Sequence, residues 1–190
     1  MARRATGHSA LRLWNGKRVM KKHNLLKTSG LLSAMALECG VTAAATGVDA
    51  MAVGTDATAT GNSTTAVGGE SVATGPGATA IGWQSGANAE RAQAFGHLAK
   101  ANGIRSLAVG EAAVANSLES IAQGNKASAT GVDAIAIGTT TVANGNSTTV
   151  VGGEAVADGV AATAFGWQSG ATAERAHAFG HLAKASGIRS

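Results

Sequence analysis

Residues 52–75 read AVGTDATATGNSTTAVGGESVATG, and glycine returns in this stretch at every seventh position. The same spacing continues along the chain from Gly47 to Gly187. It is interrupted at Ala89, Ser117 and Ala173. A fixed period sustained over so many units is the signature of a repeat architecture, in which each unit packs on the next.

The repeated unit is small-x-Ala-x-Gly followed by two linking residues. Alanine stands two residues before each position of the glycine series, with Val150 as the exception, and Ala, Ser or Thr stands four residues before it. Alternation of small and variable residues is typical of a β-strand with an inward and an outward face. Linking pairs such as Asn62-Ser63 have turn chemistry. Each unit therefore predicts a five-residue strand and a two-residue turn, with a very thin interior between strands.

The outward residue before glycine divides the units into two kinds. In every second unit it is apolar, with Gln123 as the exception, and in the units between it is polar, as at Thr60 and Asn102. The repeat is therefore a 14-residue coil, and about ten coils fit into residues 46–190. At ~4.8 Å per coil, the stack would be about 45–50 Å long. The apolar positions are Val53, Val67, Ile81, Phe95, Val109, Ile137, Val151, Phe165 and Phe179.

This apolar stripe predicts self-association. The inward side chains are all small, so most large apolar side chains of the stripe must point outward. A monomer would expose them as one continuous band, which is larger than soluble monomers normally tolerate. Gln123 interrupts the band and would form a polar layer where the copies meet.

One stretch of the chain is written twice. Residues 82–106 and 166–190 differ only at Asn88/Thr172, Gln93/His177 and Asn102/Ser186. The copies lie 84 residues apart, which is six coils of 14, and the differences all fall at outward positions. The pattern indicates a duplicated block of coils whose Trp, His, Glu and Arg residues occupy turns, and not a duplicated catalytic site.

The net charge of +4 conceals two oppositely charged parts. Residues 1–45 carry eight lysines and arginines against Glu38 alone, a charge of +7, whereas residues 46–190 carry seven against ten acidic residues, a charge of −3. The acidic part lacks a basic stripe that could neutralise phosphates, which argues against nucleic acid as a partner.

Residues 1–45 are predicted to be an export leader, with a signal-peptide core over residues 20–45. Lysines at its start precede a modest apolar stretch (31–37), and small residues favour cleavage after Ala45. The apolar stretch is too short to span a bilayer. Cys39 has no second cysteine with which to pair, and we expect it to be removed with the leader.

The units AMAVG, SVATG, ATAIG, SLAVG and AIAIG resemble the YadA-like head of trimeric autotransporter adhesins. The resemblance covers residues 46–190. It implies a left-handed parallel β-roll, three of which pack side by side as a homotrimer with the apolar strands facing the threefold axis. It also implies export to the bacterial cell surface and outer membrane. The implied function is non-enzymatic adhesion in virulence: attachment to host matrix proteins such as collagen, fibronectin or laminin, to cells, or between bacteria.

Members of this family continue into a coiled-coil stalk and a membrane anchor. Residues 46–190 contain neither a heptad pattern nor anchor strands, so we expect a head fragment or a truncated reading frame. Its contact with a membrane would run only through the missing anchor, and without that anchor the chain would be secreted or undisplayed.

Several outward residues are candidates for a ligand surface. Trp83 and Trp167 occupy turns after apolar strands, where a turn needs no large ring. They would either cover the edge of a neighbouring roll or anchor a ligand. On the polar strands, apolar and basic side chains share one outward column and could hold an extended polymer. These are Val72, Val142, Val156, Lys100 and Lys184.

Catalytic and metal-binding motifs are nearly absent from the sequence, which predicts neither enzyme activity nor a cofactor. His97 and His181 fall in turns, where a solvated histidine is the plain interpretation. His177 shares a strand face with Phe179, so three copies could converge on a trimer axis and hold an ion. Glu90-Arg91 and Glu174-Arg175 would form ion pairs in turns that contribute little.

Other repeat classes fit the pattern less well. Left-handed β-helix acyltransferases repeat every six residues and need a catalytic histidine, and calcium-binding rolls repeat every nine with aspartate in each turn. A glycine-rich disordered chain would not hold one phase over this length. A purely structural spacer within a surface fibre remains the alternative to an adhesin.

Overall fold

The computed structural model describes residues 43–190 as a parallel β-solenoid of about ten turns, with no helix in that range. Each coil contains one two-residue and one three-residue strand. The two-residue strands are β1 Ala44–Ala45, β3 Thr58–Ala59, β5 Val72–Ala73, β7 Gly86–Ala87, β9 Lys100–Ala101, β11 Val114–Ala115, β13 Ser128–Ala129, β15 Val142–Ala143, β17 Val156–Ala157, β19 Gly170–Ala171 and β21 Lys184–Ala185. The three-residue strands are β2 Met51–Val53, β4 Thr65–Val67, β6 Thr79–Ile81, β8 Gln93–Phe95, β10 Leu107–Val109, β12 Ile121–Gln123, β14 Ile135–Ile137, β16 Thr149–Val151, β18 Thr163–Phe165 and β20 His177–Phe179.

The strands form two parallel sheets, one of eleven and one of ten strands. We call the ten-stranded sheet the apolar sheet and the eleven-stranded one the polar sheet. Each strand pairs with the equivalent strand of the next coil, so that Ala66 aligns with Ala80 and Val67 with Ile81. The register is 14 residues throughout, as the sequence predicted, and it differs from the six-residue repeat of the acyltransferases.

The interior consists almost entirely of alanine methyl groups. The central alanine of each three-residue strand and the second residue of each two-residue strand point inward, and nearly all are fully buried. Val150 replaces alanine at one inward position and is also fully buried. Because each methyl group buries little apolar area, at about 25 cal/mol per Å², the fold depends heavily on its continuous backbone ladders.

The strands are shorter than the five residues that the sequence predicted. The small residue four positions before glycine belongs to the preceding turn, because its N–H bonds to the carbonyl three residues earlier, as in Ser71 N to Gly68 O at 3.3 Å. A buried hydroxyl at this position reinforces the turn by donating to the same carbonyl, at 2.8 Å for Ser71 Oγ. Ser and Thr alternate with Ala here because their hydroxyls satisfy a buried acceptor without enlarging the interior. Ser106 Oγ is the one buried side-chain polar atom without a partner among the described residues.

Every turn places its second linking residue in the left-handed region. The non-glycine residues at this position have φ between +52° and +60°. This conformation is unfavourable for L-residues, but it lets the N–H bond to the preceding coil, as in Gln84 N to Gly69 O at 2.9 Å. The turns therefore extend the hydrogen-bonded ladder between the two sheets.

Candidate functional surfaces

The apolar stripe predicted from the sequence lies on the outward face of the apolar sheet. Most of its members are half-buried by their neighbours within the stack, whereas Ile81, Phe165 and Phe179 are 40%, 38% and 67% exposed. Phe165 and Phe179 stack in consecutive coils with ring centroids 5.7 Å apart. Gln123 is exposed and lies between Val109 and Ile137, so it interrupts the stripe where the sequence placed it.

A second outward column runs beside the stripe and was not singled out from the sequence. It occupies the first residue of each three-residue strand and mixes aliphatic with polar side chains, among them Met51, Leu107, Ile121 and Ile135. His177 belongs to this column, on the same outward face as Phe179, and it is exposed. The apolar face is therefore two side chains wide in its middle coils, which enlarges the surface available to a second copy. Whether His177 holds an ion stays a prediction.

The polar sheet carries a ladder of side-chain hydrogen bonds that sequence reasoning did not predict. The Nδ2 group of Asn88 donates to Oδ1 of Asn102, and Asn102 donates likewise to Asn116, each at 2.8 Å. Further along, Asn144 donates to Asp158 at 2.7 Å. The signal was present in the sequence, because amide side chains at a 14-residue spacing fall side by side in a parallel sheet.

The candidate ligand residues of the polar sheet form one outward column beside this ladder. Val72, Val142 and Val156 are half-buried, whereas Lys100 and Lys184 are exposed. Lys184 Nζ donates to the carbonyl of Gln168 at 3.0 Å. The column is interrupted at Gly86 and Gly170, so the valines and lysines do not form an unbroken ladder.

Two rows of turns connect the sheets, and they have different chemistry. We call the turns that follow the apolar strands, such as 54–56, edge A, and those that follow the polar strands, such as 61–63, edge B. Edge A carries both candidate tryptophans. Trp83 is 48% exposed and stacks on His97 of the next coil, with ring centroids 4.9 Å apart and an interplanar angle of 20°.

The duplicated block repeats this arrangement. Trp167 is 47% exposed and stacks on His181, with centroids 5.0 Å apart and planes at 14°. The turn histidines are therefore ring partners of the tryptophans and not merely solvated. His97 Nδ1 also lies 3.6 Å from Glu111 Oε1.

Edge B carries exposed aliphatic side chains and ion pairs. Ile104, Leu118 and Val132 occupy the same turn position in three consecutive coils and are 46%, 40% and 36% exposed. The predicted pairs Glu90-Arg91 and Glu174-Arg175 are present at 3.8 and 3.4 Å. Arg105 also pairs with Glu119 of the next coil. All these charged groups are about half exposed, so each pair contributes little to stability.

Comparison with known families decides what this architecture is. The YadA head domain repeat matches residues 45–71, 73–99, 87–113, 101–127, 115–141 and 143–169, which is more than half of the chain. The chain belongs to the YadA head family. No curated protein matches it.

Membership in the YadA head family makes the chain an adhesin-type surface protein, of a family that is generally non-enzymatic. Within residues 43–190, no group of three or more side chains is arranged to hold a metal ion. In the same range no helix is long and apolar enough to cross a membrane. The predicted leader lies mostly outside the described residues, and the first strand, β1, coincides with its last two residues.

Proposed function

We propose that residues 46–190 are the head of a homotrimeric bacterial adhesin exported by the leader in residues 1–45. The outward face of the apolar sheet supports this proposal most strongly. Its side chains form a two-column band across the coils, and edge-on contact through the turns would leave that band in water. Three copies arranged around an axis would cover it on each protomer.

The trimer interface would consist of the stripe and its neighbouring column. Exposed aromatic rings at Phe165 and Phe179 would pack near the axis, and Gln123 would face its symmetry mates as a polar layer that fixes the axial alignment of the chains. The remaining stripe residues in this interface are Val53, Val67, Ile81, Phe95, Val109, Ile137 and Val151.

The head would act by attachment and not by turnover. Its outer surface is a repetitive array of turns and short strands, which is suited to contact with an extended partner over several coils. We propose host matrix proteins of the collagen, fibronectin or laminin class, host cells or other bacterial cells as partners. A purely structural spacer would share the fold, but it would not retain any of these partners.

An attachment assay tests the proposal. Surfaces coated with the full chain should retain matrix proteins or cells, and Ile137→Asp should abolish retention because three buried carboxylates would repel at the axis. Asp133→Asn, an exposed change on edge B, is the matched control and should leave retention unchanged. A trimer that retains none of these partners would instead identify a spacer.

A further inference from the structure

We propose that edge A carries two identical sites for cationic side chains of a partner polypeptide, one at Trp83 and one at Trp167. The inference rests on the proposed adhesive function, since it assigns the chemistry of the partner. Three observations support it: an uncovered indole face, a carboxylate beside it without a basic partner, and retention of the whole set in both copies of the duplicated block.

The uncovered face results from a glycine in the preceding coil. Trp83 is flanked in its own column by Gly69 on one side and His97 on the other, and His97 covers one face of the indole. A Cβ at Gly69 would lie 3.0 Å from Cδ1 of Trp83, so the indole occupies the space of the missing side chain. The next side chain of that column is Thr55, a further coil away, which leaves the outer part of this face open to solvent.

The carboxylate lies in the same turn as that glycine. Glu70 follows Gly69 directly, and its Oε2 accepts a hydrogen bond from Nε2 of Gln84 at 2.7 Å. Among the described residues, no lysine, arginine or histidine forms an ion pair with Glu70. The site therefore presents an aromatic face and an unneutralised carboxylate together, the combination that attracts a guanidinium or ammonium group.

The second copy keeps each of these elements. Gly153 lies below Trp167, with a virtual Cβ 3.3 Å from Cδ1, and Gln168 Nε2 donates to Glu154 Oε2 at 2.6 Å. Elsewhere the copies differ freely at outward positions, for example Pro76 against Val160 and Gly77 against Ala161. The retained set does not follow from the fold, because other edge A turns use other residues.

The two sites are six coils apart, which is about 29 Å at ~4.8 Å per coil. A polyproline II segment rises ~3.1 Å per residue, so about nine residues span this distance. A partner with two cations at that spacing would bind both sites of one protomer, and the second contact would be intramolecular.

Tryptophan fluorescence of the full chain with Trp14→Phe reports on the two sites alone. We would titrate a peptide with two arginines separated by eight prolines, and as control one with two arginines separated by two prolines. The longer peptide should bind at least about tenfold more tightly. Trp167→Ala should remove this difference, and Glu70→Gln with Glu154→Gln should weaken binding of both peptides about fivefold or more. Glu90→Gln with Glu174→Gln on edge B is the matched control and should change neither affinity.

Three results would overturn the inference. The first is the absence of any saturable fluorescence change with either peptide. The second is binding that survives replacement of both glutamates, and the third is a response to a neutral oligosaccharide in place of the peptides. Retention of matrix proteins or cells in the attachment assay would persist in each case if the proposed function holds, so the two failures are distinguishable.

Discussion

The two halves of each coil share one interior but differ at their turns and outward faces. On edge A, the glycine of every turn has φ between +119° and +136°, and no coil from Gly54 to Gly180 replaces it. On edge B, the glycines of the series have no such φ, and Ala89, Ser117 and Ala173 replace it. The interruptions seen in the sequence are therefore confined to the edge where backbone conformation does not demand glycine.

The difference teaches that one repeat can carry two kinds of constraint. Edge A is fixed by backbone geometry, which only glycine tolerates at low cost. Edge B is limited by space, because a Cβ there approaches the backbone of the next coil. Small side chains can be admitted on edge B by local adjustment, as the three natural replacements demonstrate.

The largest expected effect concerns the shared interior, where the halves should not differ. Ala80→Leu and Ala87→Leu place three extra carbons into an interior built for methyl groups, and both positions are fully buried. Each should destabilise the fold by about 3 kcal/mol or more, or prevent folding. Circular dichroism with denaturant titration measures the loss of the β-signal. Ala80→Val is the milder control, because Val150 occupies an equivalent position, and an unchanged midpoint for Ala80→Leu would refute the thin interior.

The second prediction contrasts the two edges directly. Gly68→Ala on edge A forces alanine to φ +128° and places its Cβ 2.6 Å from the carbonyl oxygen of Gly82. We expect a cost of about 2–3 kcal/mol. Gly61→Ala on edge B should cost about 1 kcal/mol, since alanine already stands at equivalent positions. Equal unfolding free energies for the two variants would contradict the distinction between the edges.

The smallest effect concerns the outward face of the polar sheet. Asn102→Ala removes the middle of the amide ladder and should cost about 1 kcal/mol, because the ladder is exposed and water partly replaces it. Thr172→Ala, at the equivalent outward position of another coil, is the control and should change thermal stability little. A loss as large as that of Gly68→Ala would mean that the ladder and not the turns limits stability.

Much of this architecture could be predicted from the sequence because its signal is periodic. The glycine series, the inward alanines and the stripe from Val53 to Phe179 all follow from counting. The left-handed turn residues could not be predicted in this way, since Leu98, Arg105 and Lys126 have no preference for that conformation and Gly77 is the sole glycine among them. Hydrogen bonds to the neighbouring coil impose it.

The side-chain partners of the surface were harder to predict than its layout. Trp83 and His97 are 14 residues apart, so their stacking follows once the register is known, yet a turn histidine read alone suggests only a solvated ring. The partial covering of each indole by a glycine is likewise visible only when Gly69 and Trp83 are placed in one column. The exposed aliphatic residues of edge B carry no local signature, because any side chain fits that position.

The mass of the folded chain in solution tests the central claim most directly. Light scattering should give three times the 18.5 kDa mass of the chain, or three times that of the processed chain if the leader is removed. Ile137→Asp should convert this species to a monomer or prevent folding. A stable, fully folded monomer of the unmodified chain would contradict the account, because the outward apolar face would then need no second copy to cover it.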